Sequence, residues 1–251
     1  MKGFLRFFAV MILVLGFLSE AHAARVLLMG DGGSETEVQQ ALVNAGHDVT
    51  YGGLYWEWAG SNPNPDNFGL IIYLDGVEYG NTLQESAAMA VNQFVARGCG
   101  LVLTEWTTYE VYDGDEHPII ENLMPVYTPD QAYAYGDTWT VQDTGHPLTQ
   151  GVPSTWEDTV AGWSWVTAKI GTVVLITGTD GNPLISYSNV NGGTVVHINH
   201  DMAYTENPIN ANALQLIVNA ADYASCSVHS DDERMGGHYS GDAHIHLSSL
   251  L

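Results

Sequence analysis

The run GTVVHINHDM ends on His200 with Asp201 directly after it, and four further carboxylates, Asp31, Asp75, Glu78 and Glu105, each follow a short apolar run. An imidazole ringed by carboxylates can act as an acid/base pair or hold a divalent cation. The same groups can equally cap helices, bond loop backbones or face water. Near the end of the chain, His244-x-His246 with Asp242 could catch zinc, copper or nickel through neutral imidazole nitrogens, although no compact four-ligand motif surrounds it. GDGGSE (30 to 35) is half of a dinucleotide fingerprint. The full G-x-G-x-x-G spacing is missing and Asp31 would repel a phosphate, so a tight turn is expected there. Trp56 and Trp58 in YWEW, and Trp106, could form an aromatic platform for a sugar or a protein, or simply fill a core. The glycine- and proline-rich setting YGGLYWEWAGSNPNPD predicts that some of these rings stay exposed.

The elements that must position these groups alternate between strand and helix. RVLLM (25 to 29) runs into the glycine turn, and Ser34 with Glu37 forms a capping-box pattern ahead of a helical face of Val38, Ala41, Leu42 and Ala45. HDVTYGG (47 to 53) and FGLIIYLDG (68 to 76) predict two more strands. A helix from about Thr82 to Arg97 follows, then the strand GLVLTEW (100 to 106). These strands are continuous apolar runs, which suits a parallel sheet covered by helices on both faces. From about Val126 to Lys169 the chain becomes aromatic and turn-rich, predicting an antiparallel excursion beside the main sheet. TVVLITG (172 to 178), PLISYS (183 to 188) and TVVHINH (194 to 200) return to strands, with NVNGG (189 to 193) as a turn. Asn207 and Pro208 then predict the start of a final helix with Ile209, Ala213, Leu216, Ile217 and Ala220 inward.

The first 23 residues read as a secretory signal peptide: Lys2 and Arg6, an apolar run from Phe7 to Leu18, and the small-residue pattern Ala21-His22-Ala23. Export to a secreted or periplasmic location is therefore expected, with no membrane span in the mature chain. The formal charge of −23, from 6 basic against 29 acidic residues, disfavours nucleic acid and anionic membrane surfaces as partners. One α/β domain over 24 to 223 and a flexible His/Asp-rich tail over 224 to 251 is the simplest division.

Taken in order, DNFGLIIYLDG, RGCGLVLTEW, GHPLTQGVP (145 to 153) and TVVHINHDM resemble phrases of the class I glutamine amidotransferase-like superfamily, nearest its trehalose-utilisation (ThuA-like) branch. The resemblance spans Arg25 to Tyr223 and implies a flavodoxin-like fold, a doubly wound and mostly parallel sheet with helices on both faces. It also implies that His200 stands at the catalytic histidine's position with Asp201 beside it, and that the nucleophile elbow falls at Glu105-Trp106-Thr107. No cysteine stands there, so thiol-based glutaminase chemistry is not expected. Cys99 lies at the other end of the elbow strand. In a doubly wound sheet a strand start and the end of a returning helix share one edge, so a Cys99–Cys226 disulfide is expected, the alternative being two separate thiols.

A secreted, non-catalytic binding or assembly module follows from these observations. Its ligand-binding candidates are Asp31, Asp75, Glu78, Trp106, Trp56 and Trp58, toward a carbohydrate, an extracellular protein or a divalent metal ion. The alternatives are a hydrolase working through Glu105 and His200, with or without a metal-bound water, and a structural subunit of an extracellular assembly. His200, Asp201, His244 and His246 are the metal candidates, no cofactor is certain, and a homo-oligomer stays open.

Overall fold

The computed structural model describes residues 23–129, 133–202 and 209–227. The apolar leader, the Asn207–Pro208 helix start and the tail bearing His244 and His246 lie outside the described residues.

Within them the chain alternates β1 (Arg25–Gly30), α1 (Glu35–Asn44), β2 (Asp48–Leu54), β3 (Leu70–Tyr73), α2 (Glu85–Ala96), β4 (Gly100–Thr104), α3 (Glu105–Asp113) and α4 (Pro118–Leu123). Then follow β5 (Val126–Tyr127), β6 (Tyr133–Val141), β7 (Thr155–Ser164), β8 (Thr167–Ala168), β9 (Val173–Thr177), β10 (Pro183–Val190), β11 (Gly193–Ile198) and α5 (Ala211–Ala224). The main sheet has nine strands in the order β2-β1-β3-β4-β11-β10-β9-β6-β7, and β5 pairs with β8 in a small separate ribbon. β2, β1, β3, β4 and β11 run parallel, whereas β11, β10, β9, β6 and β7 pair antiparallel. The fold is therefore a mixed α/β sheet. The aromatic segment does not stand beside the sheet as expected but completes it, and Trp139, Trp156 and Trp163 are buried in its core.

Strand alternation explains the continuous apolar runs, because both faces of the sheet are covered. Val26, Leu28, Leu70, Ile72, Val102, Val196 and Ile198 enter one core, which also takes Leu216, Ile217 and Ala220 from α5. Leu27, Met29, Ile71, Tyr73, Leu101, Leu103 and Val195 enter the other, with Val91, Phe94 and Val95 from α2. Several boundaries differ from the sequence pattern. α2 begins at Glu85 after Gln84 rather than at Thr82, and β4 stops at Thr104 so that Glu105 opens α3. Ser34 precedes α1 without a side-chain capping bond. Asn210 caps α5, its side chain accepting from the Asn212 amide at 2.8 Å.

The expected disulfide is present: Cys99, just before β4, is bonded to Cys226, just after α5, at a sequence separation of 127 and with Cα atoms 4.7 Å apart. Glycine makes this approach possible, since a Cβ on Gly69 would collide with the Cys226 carbonyl, and the Cys226 amide donates to the Gly69 carbonyl at 3.0 Å. The bridge thus pins the amino-terminal edge of the parallel strands and leaves their carboxyl ends, where chemistry is expected, to the loops.

Candidate functional site at the carboxyl ends of the parallel strands

Two clusters of ionisable side chains occupy this edge. The first is centred on His200, which follows β11. Its Nε2 lies 3.2 Å from Asp158 Oδ2 and its Nδ1 lies 3.5 Å from Asp201 Oδ1, with all three residues buried. Asp158 comes from β7 in the antiparallel half, held further by the Val160 and Ala161 amides. Burial by itself would raise the Asp158 carboxyl, but the His200 bond and charge, together with those amides, outweigh it and hold the group below its ordinary range. Asp201 goes the other way: burial pushes it up to about 6 despite the neighbouring imidazole.

Glu105 is fully buried at the first position of α3. The Ser164 hydroxyl donates to Glu105 Oε1, and the Glu105 backbone N–H lies 3.5 Å from the His200 carbonyl. Burial lifts the Glu105 carboxyl to about 8, against the lowering effect of Ser164 and with help from the Asp201 charge. The folding of β7 fixes this arrangement. A Cβ at Gly162 would strike the Tyr133 hydroxyl, and the Gly162 carbonyl accepts from the Asp201 amide at 3.1 Å. The structure thus brings Glu105, His200 and Asp201 into one neighbourhood, with the Glu105 carboxyl on Ser164 and the imidazole between two aspartates.

The second cluster follows β3 and α3. Asp75, Glu110 and Glu116 are buried, and each offers a carboxylate oxygen within 4.8 Å of the others. The Tyr55 hydroxyl donates to Asp75 Oδ1 at 3.2 Å, the Gly80 amide to Glu110 Oε1 at 3.1 Å, and the Tyr73 hydroxyl to Glu116 Oε2 at 2.7 Å. Burial, then the facing Glu110 charge, drives the Asp75 carboxyl far above its ordinary range; burial also raises Glu110, and lifts Glu116 to about 7. Asp31 stands beside this group. Its Oδ2 accepts the Gly76, Val77 and Glu78 amides, so it anchors the loop after β3, and burial outweighs those bonds to raise its carboxyl. Glu78 itself is exposed.

The tryptophans divide. Trp58 is not a surface platform: it is 2% exposed and its Nε1 donates to the Pro63 carbonyl at 3.1 Å, closing the loop after β2. Trp56 is half-buried with its ring 4.9 Å from that of Tyr55. Trp106 is half-buried on α3, 6.0 Å from the Tyr109 ring, which is in turn 6.1 Å from exposed Tyr79, and the Tyr79 hydroxyl donates to Asp113. A strip of three rings beside a carboxylate results.

Sequence reasoning passed over Asp158, Ser164, Glu110, Glu116, Tyr79 and Tyr109. A usable signal existed for Glu110 alone, since it sits on a helix that directly leaves a predicted strand end. His197, fully buried on β11, was also missed; burial pulls it down to about 3.

No protein-family model matches the chain, and no curated protein matches it by sequence. Solved structures do. A cytoplasmic protein of Salmonella typhimurium superposes with a TM-score of 0.64 at 14% identity, over 80% of this chain and 99% of that one. A ThuA-like protein of Bacteroides uniformis gives 0.56 at 16% identity, over 78% and 89%. A β-galactosidase of Bacillus circulans gives 0.55 at 14% identity, over 79% of this chain but 31% of the enzyme. At these identities the likeness is one of fold, a mixed α/β fold that the ThuA-like structure shares.

Proposed function

We propose that the chain is an exported, non-catalytic binding module on a flavodoxin-like frame, presenting the Trp106–Tyr109–Tyr79 strip to a neutral carbohydrate. The single observation that carries this reading is the strip itself: the Tyr109 ring between those of Trp106 and Tyr79, with a carboxylate, Asp113, bonded to the Tyr79 hydroxyl. Aromatic faces stack on the apolar faces of sugar rings while a carboxylate accepts hydroxyl protons, and a neutral ligand avoids repulsion by an acidic surface. The parallel order β2-β1-β3-β4-β11 supports the flavodoxin-like frame, and the disulfide supports an oxidising compartment. Among the described residues no helix is long and apolar enough to cross a membrane. The β-galactosidase match, covering under a third of that enzyme, supports the use of this fold as one part of a carbohydrate-active protein.

The assignment of Glu105 and His200 supports the non-catalytic part. Glu105 Oε1 and His200 Nε2 each have an internal partner, Ser164 and Asp158, and the imidazole lies between Asp158 and Asp201 with no cysteine at the elbow. The hydrolase alternative draws on one feature, a carboxyl raised to about 8 beside a His–Asp pair, which is how a general acid is prepared.

Affinity electrophoresis against a panel of neutral polysaccharides tests the proposal. Retardation by one of them that is lost in Trp106→Ala and Tyr109→Ala, and kept in His200→Ala, is the expected result. Hydrolysis of a bound glycan that disappears in Glu105→Gln would replace the module with the enzyme, and no retardation by any polysaccharide would remove the carbohydrate.

A further inference from the structure

The geometry points to a binding site for one hard divalent cation, calcium in preference to magnesium, formed by Asp75, Glu110 and Glu116. Ligand atoms around a single ion cannot lie farther apart than twice the metal–oxygen distance. That limit is about 4.6–5.2 Å for calcium and about 4.0–4.2 Å for magnesium; the three carboxylate oxygens lie within an outer bound of 4.8 Å, a range that calcium can span throughout. The donor set is entirely oxygen, which suits a hard ion and not zinc or copper.

The second observation is what each carboxylate leaves over. Protein donors orient one oxygen of Asp75 and of Glu110 and both of Glu116: the Tyr55 hydroxyl on Asp75 Oδ1, the Gly80 amide on Glu110 Oε1, and the His117 amide and the Tyr73 hydroxyl on Glu116 Oε1 and Oε2. Such outer contacts fix metal ligands in known sites. Asp75 Oδ2 and Glu110 Oε2 then remain without a hydrogen-bond donor, in side chains that are fully buried. Outside the triad, Asp31 Oδ1 is also without one, in a residue 2% exposed whose charge acts on both Asp75 and Glu110.

No protein cation is at hand to compensate these groups. Among the described residues Arg25 pairs with Asp48, Arg97 pairs with Asp66, and Lys169 donates to the Glu121 carbonyl. A buried carboxylate without a counter-charge costs several kcal/mol, so the cluster must take up protons or a cation. One shared proton would satisfy Asp75 and Glu110 and leave Asp31 Oδ1 unserved. Calcium takes six to eight oxygens, so three carboxylates leave room for bound waters, and those waters are donors for Asp31.

The inference is independent of the carbohydrate reading: it concerns buried oxygens, and a glycan that fails to bind leaves it untouched. The test begins with chelator-stripped protein dialysed against calcium, magnesium or neither, followed by elemental analysis and thermal unfolding. One calcium retained per chain, a saturable rise in melting temperature, and an affinity for calcium at least about tenfold above that for magnesium are expected. Glu110→Gln and Asp75→Asn should each weaken calcium at least about tenfold. Terbium luminescence excited through Tyr55 and Tyr73 supplies a readout that needs no variant; it should rise with terbium and be displaced by calcium. No retained ion together with no sensitised terbium signal would overturn the site in favour of a proton-sharing cluster. Retention with equal affinity in both variants would overturn it in favour of another location, such as the acidic tail.

Discussion

The two clusters at the strand ends hold similar numbers of carboxylates within one sheet edge, yet their electrostatics are opposite. Around His200 the histidine sits between Asp158 and Asp201, and Ser164 serves Glu105, so the protein supplies an imidazole and a hydroxyl donor. Around Asp75 the charges that act on it are those of Glu110, Asp31 and Glu116, and the donors are tyrosine hydroxyls and two backbone amides. The difference teaches that burial alone does not define a site. Both clusters leave buried atoms without a hydrogen-bond partner, Glu105 Oε2, His200 Nδ1 and Asp201 Oδ2 in the first and Asp75 Oδ2 and Glu110 Oε2 in the second, so what separates them is the imidazole that only the first contains.

The largest effect that would break this contrast is on stability. Asp158→Ala leaves His200 Nε2 without its buried partner and should cost about 3–5 kcal/mol in urea unfolding. Glu110→Gln in chelator-stripped protein removes one of several like charges and should be neutral or stabilising by up to about 1 kcal/mol. If Glu110→Gln costs more than Asp158→Ala, the carboxylates of the second cluster hold the fold together rather than strain it.

A pH series is next in size. Glu105 at about 8 and Glu116 at about 7, both above the ordinary 4.5, mean that the folded chain keeps protons that the unfolded chain releases. Their contribution is therefore present at low pH and lost as pH rises toward 8. Metal-free protein should be more stable to urea at pH 6.5 than at pH 8.5 by an amount on the order of a few kcal/mol, and Glu105→Gln should flatten the slope. Below about 6.5 the rise should become shallower, because unfolding frees His197 from its depressed value of about 3 and lets it take a proton that offsets one of those the buried carboxyls keep. Calcium should remove most of the part of the slope that belongs to Glu110 and Glu116, while leaving that of Glu105; a slope indifferent to calcium would separate the clusters from any ion.

The smallest structural effect should come from the aromatic strip. Trp106→Ala is expected to shift unfolding by no more than about 1–2 kcal/mol, since the ring is only half-buried, while abolishing retardation in a polysaccharide gel. A large loss of stability with unchanged retardation would make Trp106 a core residue.

Legibility from sequence followed locality. The parallel strands and α5 were readable because their apolar runs and helical spacing are short-range patterns. Cys99 and Cys226 could be paired because strand starts and helix ends share an edge in such a sheet. Asp158 was not readable: it lies on a β7 strand that looks like any polar antiparallel strand, and it meets His200 only because β7 folds onto the end of β11. Glu110 and Glu116 look like solvent-facing charges on and after a short helix. Only the packing of α3 and its following loop against Tyr73 and the Gly80 loop buries them.

The sequence by itself determined the order of strands and helices, the missing cysteine at the elbow, the acidic surface and the residue types available at the strand ends. Those properties depend on neighbours along the chain. The tertiary structure alone decided that Glu105 rests on Ser164, that His200 lies between two aspartates and that Asp75 joins Glu110 and Glu116. Whether a carboxylate keeps its charge, takes a proton or calls for a cation depends on what surrounds it within a few ångströms, and those surroundings come from segments far apart in sequence.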